Sequence, residues 1–304
     1  MLADLGEFGA IRLFQELLAM NSPAGLAPEI GIGDDAAVWR PTPGRLVLET
    51  TDLLIEEVHF SLRHMSWYDV GWKAMAVNVS DVAAMGGEPK AAFVSAGLSP
   101  SMSSSDAAEL YRGLAACASS FGVAVLGGDT VSAPLAAVLN VALFGEADSV
   151  LRRSLAAAGD AVAVSGPLGV SAAYLLTFDD AYREAHVHPV PRVDLGQKLV
   201  GAGIRCAMDI SDGLVADLAK ICEASGVGAV VQASAVPVSS GVALLAALTG
   251  GEDYELLACG PAPVLAGLGM TMVGSVVSGS GVRVIDASGT ELALEQPGYD
   301  ALKA

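Results

Sequence analysis

Short apolar runs of strand character alternate with longer stretches of helical spacing through both halves of the sequence, and aspartate collects at the junctions. Residues 45–52 read as a strand with a polar C-terminal end. Residues 67–85 read as a helix, with Val70, Ala74, Val77 and Val82 on one side and Gly86-Gly87 stopping it. Residues 91–98 form the next strand and 105–121 the next helix. A strand at 123–126 ends in Gly-Gly-Asp129-Thr130, and another covers 136–144. Such alternation implies sheets covered by helices, an α/β class. Charge returns between residues 146 and 160, which sets a domain boundary near residue 148. The second half repeats the pattern. It has a strand at 161–165, a polar stretch around His186 and His188, and a helix at 214–225 with Gly226 as its C-terminal stop. A strand at 270–277 and a closing hairpin at 282–285 follow.

Composition narrows the function. The 304 residues carry 16 basic and 34 acidic side chains, a formal charge of −18, with a hydrophobic fraction of 53%. At roughly 100–200 residues per domain, this length suits two domains, each with a sizeable core. The negative field disfavours nucleic acid and anionic membranes, so an anionic ligand would arrive with metal ions. The bland reading is a solubility device or an adaptation to salt. Cys117, Cys206, Cys222 and Cys259 form no close pair in sequence, so neither a zinc knuckle nor a disulfide framework is expected. The first twenty residues carry Leu5, Phe8, Ile11, Phe14, Leu17 and Leu18 at helical spacing and lack a basic leader, which predicts an amphipathic helix and a cytoplasmic protein.

The placement of aspartate carries the chemistry. Asp34 and Asp35 follow Gly31-Ile-Gly33, Asp52 follows Thr50-Thr51, Asp81 follows Asn78-Val-Ser80, and Asp129 follows Gly127-Gly128. Asp209 and Asp212 bracket Ile210-Ser211, and Asp253 follows Gly250-Gly-Glu252. Any one of these is ordinarily just a turn, and Asp212 could serve only as a helix cap. Together they place carboxylates at strand ends, where α/β sheets bind ligands. Gathered carboxylates repel by about 4 kcal/mol per pair at 4 Å and an effective dielectric of 20, so a cation must hold them. Mg²⁺ suits oxygen ligands and phosphates. The sequence has no phosphate-binding Gly-x-x-x-x-Gly-Lys loop, no complete dinucleotide fingerprint and no Gly-x-Ser-x-Gly elbow.

In this order, the segments Gly33-Asp-Asp-Ala-Ala37, Glu49-Thr-Thr-Asp52, Val58-His-Phe60, Asn78-Val-Ser-Asp81 through Gly87, Gly127-Gly-Asp-Thr130, Asp209-Ile-Ser-Asp-Gly-Leu214 and Gly251-Glu-Asp-Tyr-Glu-Leu256 resemble the thiamine-monophosphate kinase family. That family lies within the ATP-binding superfamily of aminoimidazole ribonucleotide synthetase. The resemblance implies a two-lobed α/β (α+β) fold of mixed sheets with helices packed on them. An N-terminal domain (1–148) would serve ATP, Mg²⁺ and dimerisation, and a C-terminal domain (149–304) would complete the cleft. It implies ATP-dependent phosphorylation of thiamine monophosphate to thiamine diphosphate by a homodimer. Several Mg²⁺ ions fall to Asp34, Thr50, Thr51, Asp52, Asp81, Asp129, Asp209 and Asp212. Of these, Asp34, Asp81, Asp129 and Asp212 are the catalytic group. ATP falls to Tyr111, Gly128, Asp129, Arg153 and Ser211, and the thiamine substrate to His59, Glu252 and Tyr299. Two places depart from the family pattern: Leu155-Ala156 after Arg153-Ser154, and Ala301-Leu302 after the terminal Gly-Tyr-Asp.

The chemistry agrees with this resemblance. A phosphate monoester loses its second proton near pH 6, so the acceptor oxygen needs no general base at neutral pH. The task is to hold two polyanions together, which calls for positioning and charge neutralisation. The alternatives are another ATP-dependent enzyme of the superfamily, one activating an amide or carbonyl oxygen, and an inactive nucleotide- or cation-binding protein. Selenophosphate synthesis is disfavoured because no cysteine precedes Cys117.

Overall fold

The computed structural model describes residues 1–19, 28–32 and 36–299. The chain divides into two compact units, Met1–Val82 with Glu88–Asp148, and Ala83–Gly87 with Ser149–Ala304. Among the described residues no helix is long and apolar enough to cross a membrane.

The first unit contains α1 (Leu2–Ala19), β1 (Leu46–Ile55), α2 (Trp67–Ala84, whose last two residues belong to the second unit), β2 (Glu88–Leu98), α3 (Ser104–Ser120), β3 (Ala124–Ser132) and β4 (Val138–Ala147). The strands form one mixed sheet in the order β1-β4-β2-β3, antiparallel except for β2 with β3. On one face the buried side chains Leu139, Val141 and Leu143 of β4 belong to the same core as Val70, Ala74 and Met75 of α2 and Leu110 and Leu114 of α3. Each such aliphatic side chain contributes about 1.5–3 kcal/mol on burial. The two helices cross backbone to backbone: a Cβ at Gly113 would collide with the carbonyl of Tyr68, and one at Gly71 with that of Leu110. Ser103 starts α3 with its hydroxyl oxygen accepting the Asp106 N–H at 3.0 Å.

Two strand ends differ from expectation. β1 does not stop at Asp52 but continues to Ile55, because residues 50–55 keep pairing with β4. β3 likewise runs through Gly-Gly-Asp129-Thr130 to Ser132. The glycines make no turn there. Gly128 pairs with Val94, and a Cβ on it would strike the Val94 carbonyl oxygen, so the close approach of β2 is what requires glycine.

The second unit contains β5 (Ala161–Val164), α4 (Val170–Thr177), α5 (Asp180–Val187), α6 (Val193–Gly201), β6 (Cys206–Asp209), α7 (Leu214–Ser225), β7 (Gly228–Gln232), α8 (Leu244–Thr249), β8 (Leu256–Gly260), α9 (Ala262–Gly267), β9 (Thr271–Val277) and β10 (Gly281–Ile285). Its sheet order is β10-β7-β9-β5-β8-β6. The closing segment is therefore not a hairpin: β7 lies between β9 and β10, and β10 pairs with β7 in parallel. The central strands are apolar on both faces. Val162, Val164, Leu257 and Cys259 join the cluster under α7, whereas Ala163, Leu256 and Ala258 join Leu199 and Leu265 on the other side. A sheet buried on both faces loses the polar alternation of a solvent-facing one, which explains the near-continuous apolar runs.

Candidate active site

In the first unit the alternation of β1 decides which groups can meet. The Thr50 hydroxyl donates to Asp81 Oδ2 on α2 at 2.5 Å. Asp52, two residues on, shares that face. Thr51 points the opposite way, where its hydroxyl oxygen accepts from Asn140 Nδ2 at 2.7 Å. β3 sorts its residues similarly. Thr130 meets the buried Tyr111 hydroxyl, so Asp129 beside it projects from the far face, exposed, with Oδ1 accepting the Thr130 N–H at 2.9 Å. The sheet thus separates Thr50, Asp52 and Asp81 from Thr51 and Asp129. Asp34 lies outside the described residues. Among the described residues no three His, Cys, Asp or Glu side chains stand close enough to hold a metal ion. The Thr50, Asp52 and Asp81 donors are hard oxygens of the kind Mg²⁺ takes.

Tyr111 is buried beneath Phe14, their rings stacked at 3.7 Å, and burial pushes its hydroxyl up to about 12. It is a core residue under a small cavity of about 60 Å³, which Gly128, Asp129 and Phe14 also line. His59 follows β1 with Nδ1 accepting the Ile55 N–H at 3.1 Å, which fixes the ring as the Nε2–H tautomer.

The second unit brings its motif residues together. β6 ends at the buried Asp209 and leads into Ser211-Asp212-Gly213. Facing it, residues 251–255 lead into β8, which pairs with β6. The loops are joined by backbone bonds: Ile210 N–H to the Glu255 carbonyl at 2.8 Å, Tyr254 N–H to that of Ile210 at 2.9 Å, and Glu252 N–H to that of Ser211 at 2.8 Å. Glu252 and Tyr254 take φ of +64° and +51°. Side chains rarely adopt that region, and strain of about 1–3 kcal/mol per residue persists only where the surroundings impose it. The C-terminal segment docks on the same loop, Tyr299 N–H donating to the Asp212 carbonyl at 3.0 Å, with Tyr299 itself exposed. Ser211, Asp212, Glu252 and Tyr299 therefore share one surface. Arg153 does not join them. It is exposed on a short 3-10 turn, and its carbonyl accepts the Ser225 hydroxyl at 2.8 Å at the far end of α7. Eleven residue steps separate Leu214 from Ser225, which is roughly 17 Å along a helix.

Two matches cover most of the chain. Residues 33–147 match the AIR synthase related protein N-terminal domain, and residues 157–287 the corresponding C-terminal domain. The thiamine-monophosphate kinase of Bacillus subtilis is 37% identical over 249 residues, 75% of this chain and 76% of that protein. The crystal structure of thiamine-monophosphate kinase from Stenotrophomonas maltophilia superposes with a TM-score of 0.79 at 32% identity, covering 92% of this chain and 96% of that one. AaThiL complexed with AMPPCP and TMP superposes at 0.77 with 32% identity, covering 99% of each chain. The chain belongs to the thiamine-monophosphate kinase family. Its two mixed α/β units are accordingly AIR synthase-like in fold.

Within this member of the thiamine-monophosphate kinase family, residues outside the assigned site support the motif loops. Asp217, fully buried on α7, accepts the N–H groups of Ser211, Asp212 and Gly213 with one carboxylate oxygen, at 3.0, 2.9 and 3.1 Å. Its other oxygen takes Lys220 Nζ at 2.7 Å, and the same ammonium reaches Asp212 Oδ2 at 2.5 Å. The helix is therefore capped from within, and Asp212 is not its cap. A helical side chain leans toward the N-terminus, so an acid one turn inside the helix was the available signal. Glu255 is held by Arg192 through both carboxylate oxygens and by the Ser165 hydroxyl. His186, expected as an ordinary polar position, is buried.

Asp253 supplies a test in pH. Its carboxylate accepts the Gly169 N–H at 2.8 Å, and burial, opposed by such bonds from the first turn of α4, pushes it up to about 7 from 3.8. A carboxyl raised on folding contributes stability that is complete below pH 4 and fades as pH climbs through 7. The full span is about 4 kcal/mol. Asp253→Asn removes this titration. The wild-type melting temperature minus that of the variant is expected to fall between pH 4.5 and 8 and then level off. Parallel curves across that range contradict the assignment.

Proposed function

We propose that the chain transfers the γ-phosphoryl group of ATP to thiamine monophosphate, giving thiamine diphosphate and ADP. The observation that carries this reading is the joining of Ser211-Asp212, Glu252 and Tyr299 into one surface by backbone bonds, in a chain that shares the family's sequence throughout. The relative complexed with AMPPCP and TMP supports both substrates.

Mg²⁺ suits the oxygen donors Thr50, Asp52 and Asp81, and when bound it would neutralise phosphate charge. The chain's own groups do the positioning. Asp217 and Lys220 fix the Ser211–Gly213 loop, so that its geometry exists before substrate arrives. Lys220 also offers a partly exposed ammonium beside Asp212. Glu252 offers a carboxylate to the cationic thiamine moiety, and His59 a ring N–H in the first unit. The acceptor phosphate is already deprotonated at neutral pH, so none of these residues must act as a base.

The reading assigns residues 1–148 to ATP, Mg²⁺ and dimerisation and 149–304 to the rest of the site. Homodimerisation is supported by an open sheet face and edge in the first unit, where Val47, Leu53 and Val131 are exposed. Four unpaired, buried cysteines suit a cytoplasmic setting. Incubation of purified protein with ATP, Mg²⁺ and thiamine monophosphate is expected to yield thiamine diphosphate and ADP in equal amounts by chromatography. Folded protein that forms ADP only with a different acceptor, or forms none, contradicts the reading.

A further inference from the structure

His186 lies in the last turn of α5, a helix of polar composition, yet it is only 4% exposed. Its Nδ1 stands 2.9 Å from Ser171 Oγ of α4 and 3.4 Å from Glu252 Oε2, and its ring packs against Tyr174 at 5.3 Å between centroids. A carboxylate can only accept, so Glu252 favours the tautomer with its proton on Nδ1. Glu252 itself is only partly buried, its side chain 27% exposed. It is thus anchored at one end and open to solvent at the other. Its backbone sits at φ +64° with its N–H on the Ser211 carbonyl. A glutamate that only faced water would need neither a strained backbone nor a buried imidazole beside it.

We propose that His186 is a positioning residue for Glu252: its Nδ1–H holds that carboxylate in one orientation for the permanently cationic thiazolium of the thiamine substrate. This rests on the phosphoryl-transfer reading above. Such a residue governs substrate affinity more than the chemical step, because the carboxylate it orients faces the thiazolium ring, which the two-carbon arm separates from the reacting phosphate. The role also explains why a histidine is buried between α4 and α5 without being a metal ligand.

The test compares His186→Phe, which keeps a ring against Tyr174 but has no donor, with His186→Asn, which returns an amide N–H near the position of Nδ1. His186→Phe is expected to raise KM for thiamine monophosphate about tenfold, the effect of one lost charge-assisted hydrogen bond. KM for ATP and kcat should stay within about threefold, and His186→Asn should recover most of the loss. Adding His186→Phe to Glu252→Gln should cost nothing further, since the two act through one contact. Ser171→Ala removes the other oxygen that faces Nδ1 and disturbs packing least, so it should leave KM for thiamine monophosphate unchanged or lower it. Unchanged KM in His186→Phe, equal shifts in both KM values, or full additivity with Glu252→Gln overturns the proposal while leaving the reaction standing. A wild-type enzyme without turnover on thiamine monophosphate overturns both.

Discussion

Replacement of Asp81 by Asn is expected to lower kcat by about a thousandfold or more, the scale seen when a preorganised electrostatic group is removed from a transition state. The unfolding temperature should move by only a few degrees. The distinction follows from geometry. An asparagine carbonyl oxygen can still accept the Thr50 hydroxyl, so the bond between β1 and α2 survives and only a negative charge is lost. If that charge serves to hold cationic neutralisation against two phosphate groups, turnover collapses in a folded protein. Steady-state kinetics with thermal denaturation separates the outcomes. Turnover near the wild-type rate would remove Asp81 from the mechanism, and loss of the fold would make it a structural residue.

The second large effect is expected at Asp217. Truncation to Ala leaves three N–H groups of the Ser211–Gly213 loop, one buried and two part-buried, without their acceptor and deprives Lys220 of one of its two carboxylates. Breaking a buried charged network by removing one partner costs about 3–5 kcal/mol. Chemical denaturation of Asp217→Ala should show that loss, and turnover should fall with it because the loop carrying Asp212 is no longer held. Asp217→Asn keeps volume and one acceptor oxygen and should fall between. A loss below about 1 kcal/mol would mean that water replaces the carboxylate without penalty.

The helices and most strands were legible because burial writes its period into the sequence: α2 and α7 keep an apolar face at helical spacing, and Gly226 ends α7 in the left-handed conformation expected of it. Strand ends were harder. Thr50-Thr-Asp52 and Gly-Gly-Asp129 look like termini, but backbone pairing with β4 and β2 carries β1 and β3 on through them. The position of β10 beside β7 was hidden because strand order is set by long-range pairing, to which local pattern is blind.

The site was legible in the second unit for a simple reason. Its two aspartate- and glutamate-rich loops flank β6 and β8, and the pairing of those strands forces the loops together. In the first unit the same kind of reading assigns Thr50, Thr51, Asp52, Asp81 and Asp129 to Mg²⁺ without sorting them by direction, whereas strand alternation divides them between two faces. Asp217 belongs to no motif, and His186 reads as an ordinary polar position. Their roles come from what folds against them, the Ser211–Gly213 loop for one and Glu252 for the other.

The most direct measurement is a single turnover of enzyme in excess over ATP labelled in its γ-phosphate, with thiamine monophosphate present and magnesium either supplied or chelated. The label is expected in the terminal phosphate of thiamine diphosphate when magnesium is supplied, and to remain in ATP when it is chelated. Label appearing in inorganic phosphate or another acceptor, or transfer that continues under chelation, would contradict metal-assisted transfer between the two phosphorylated substrates.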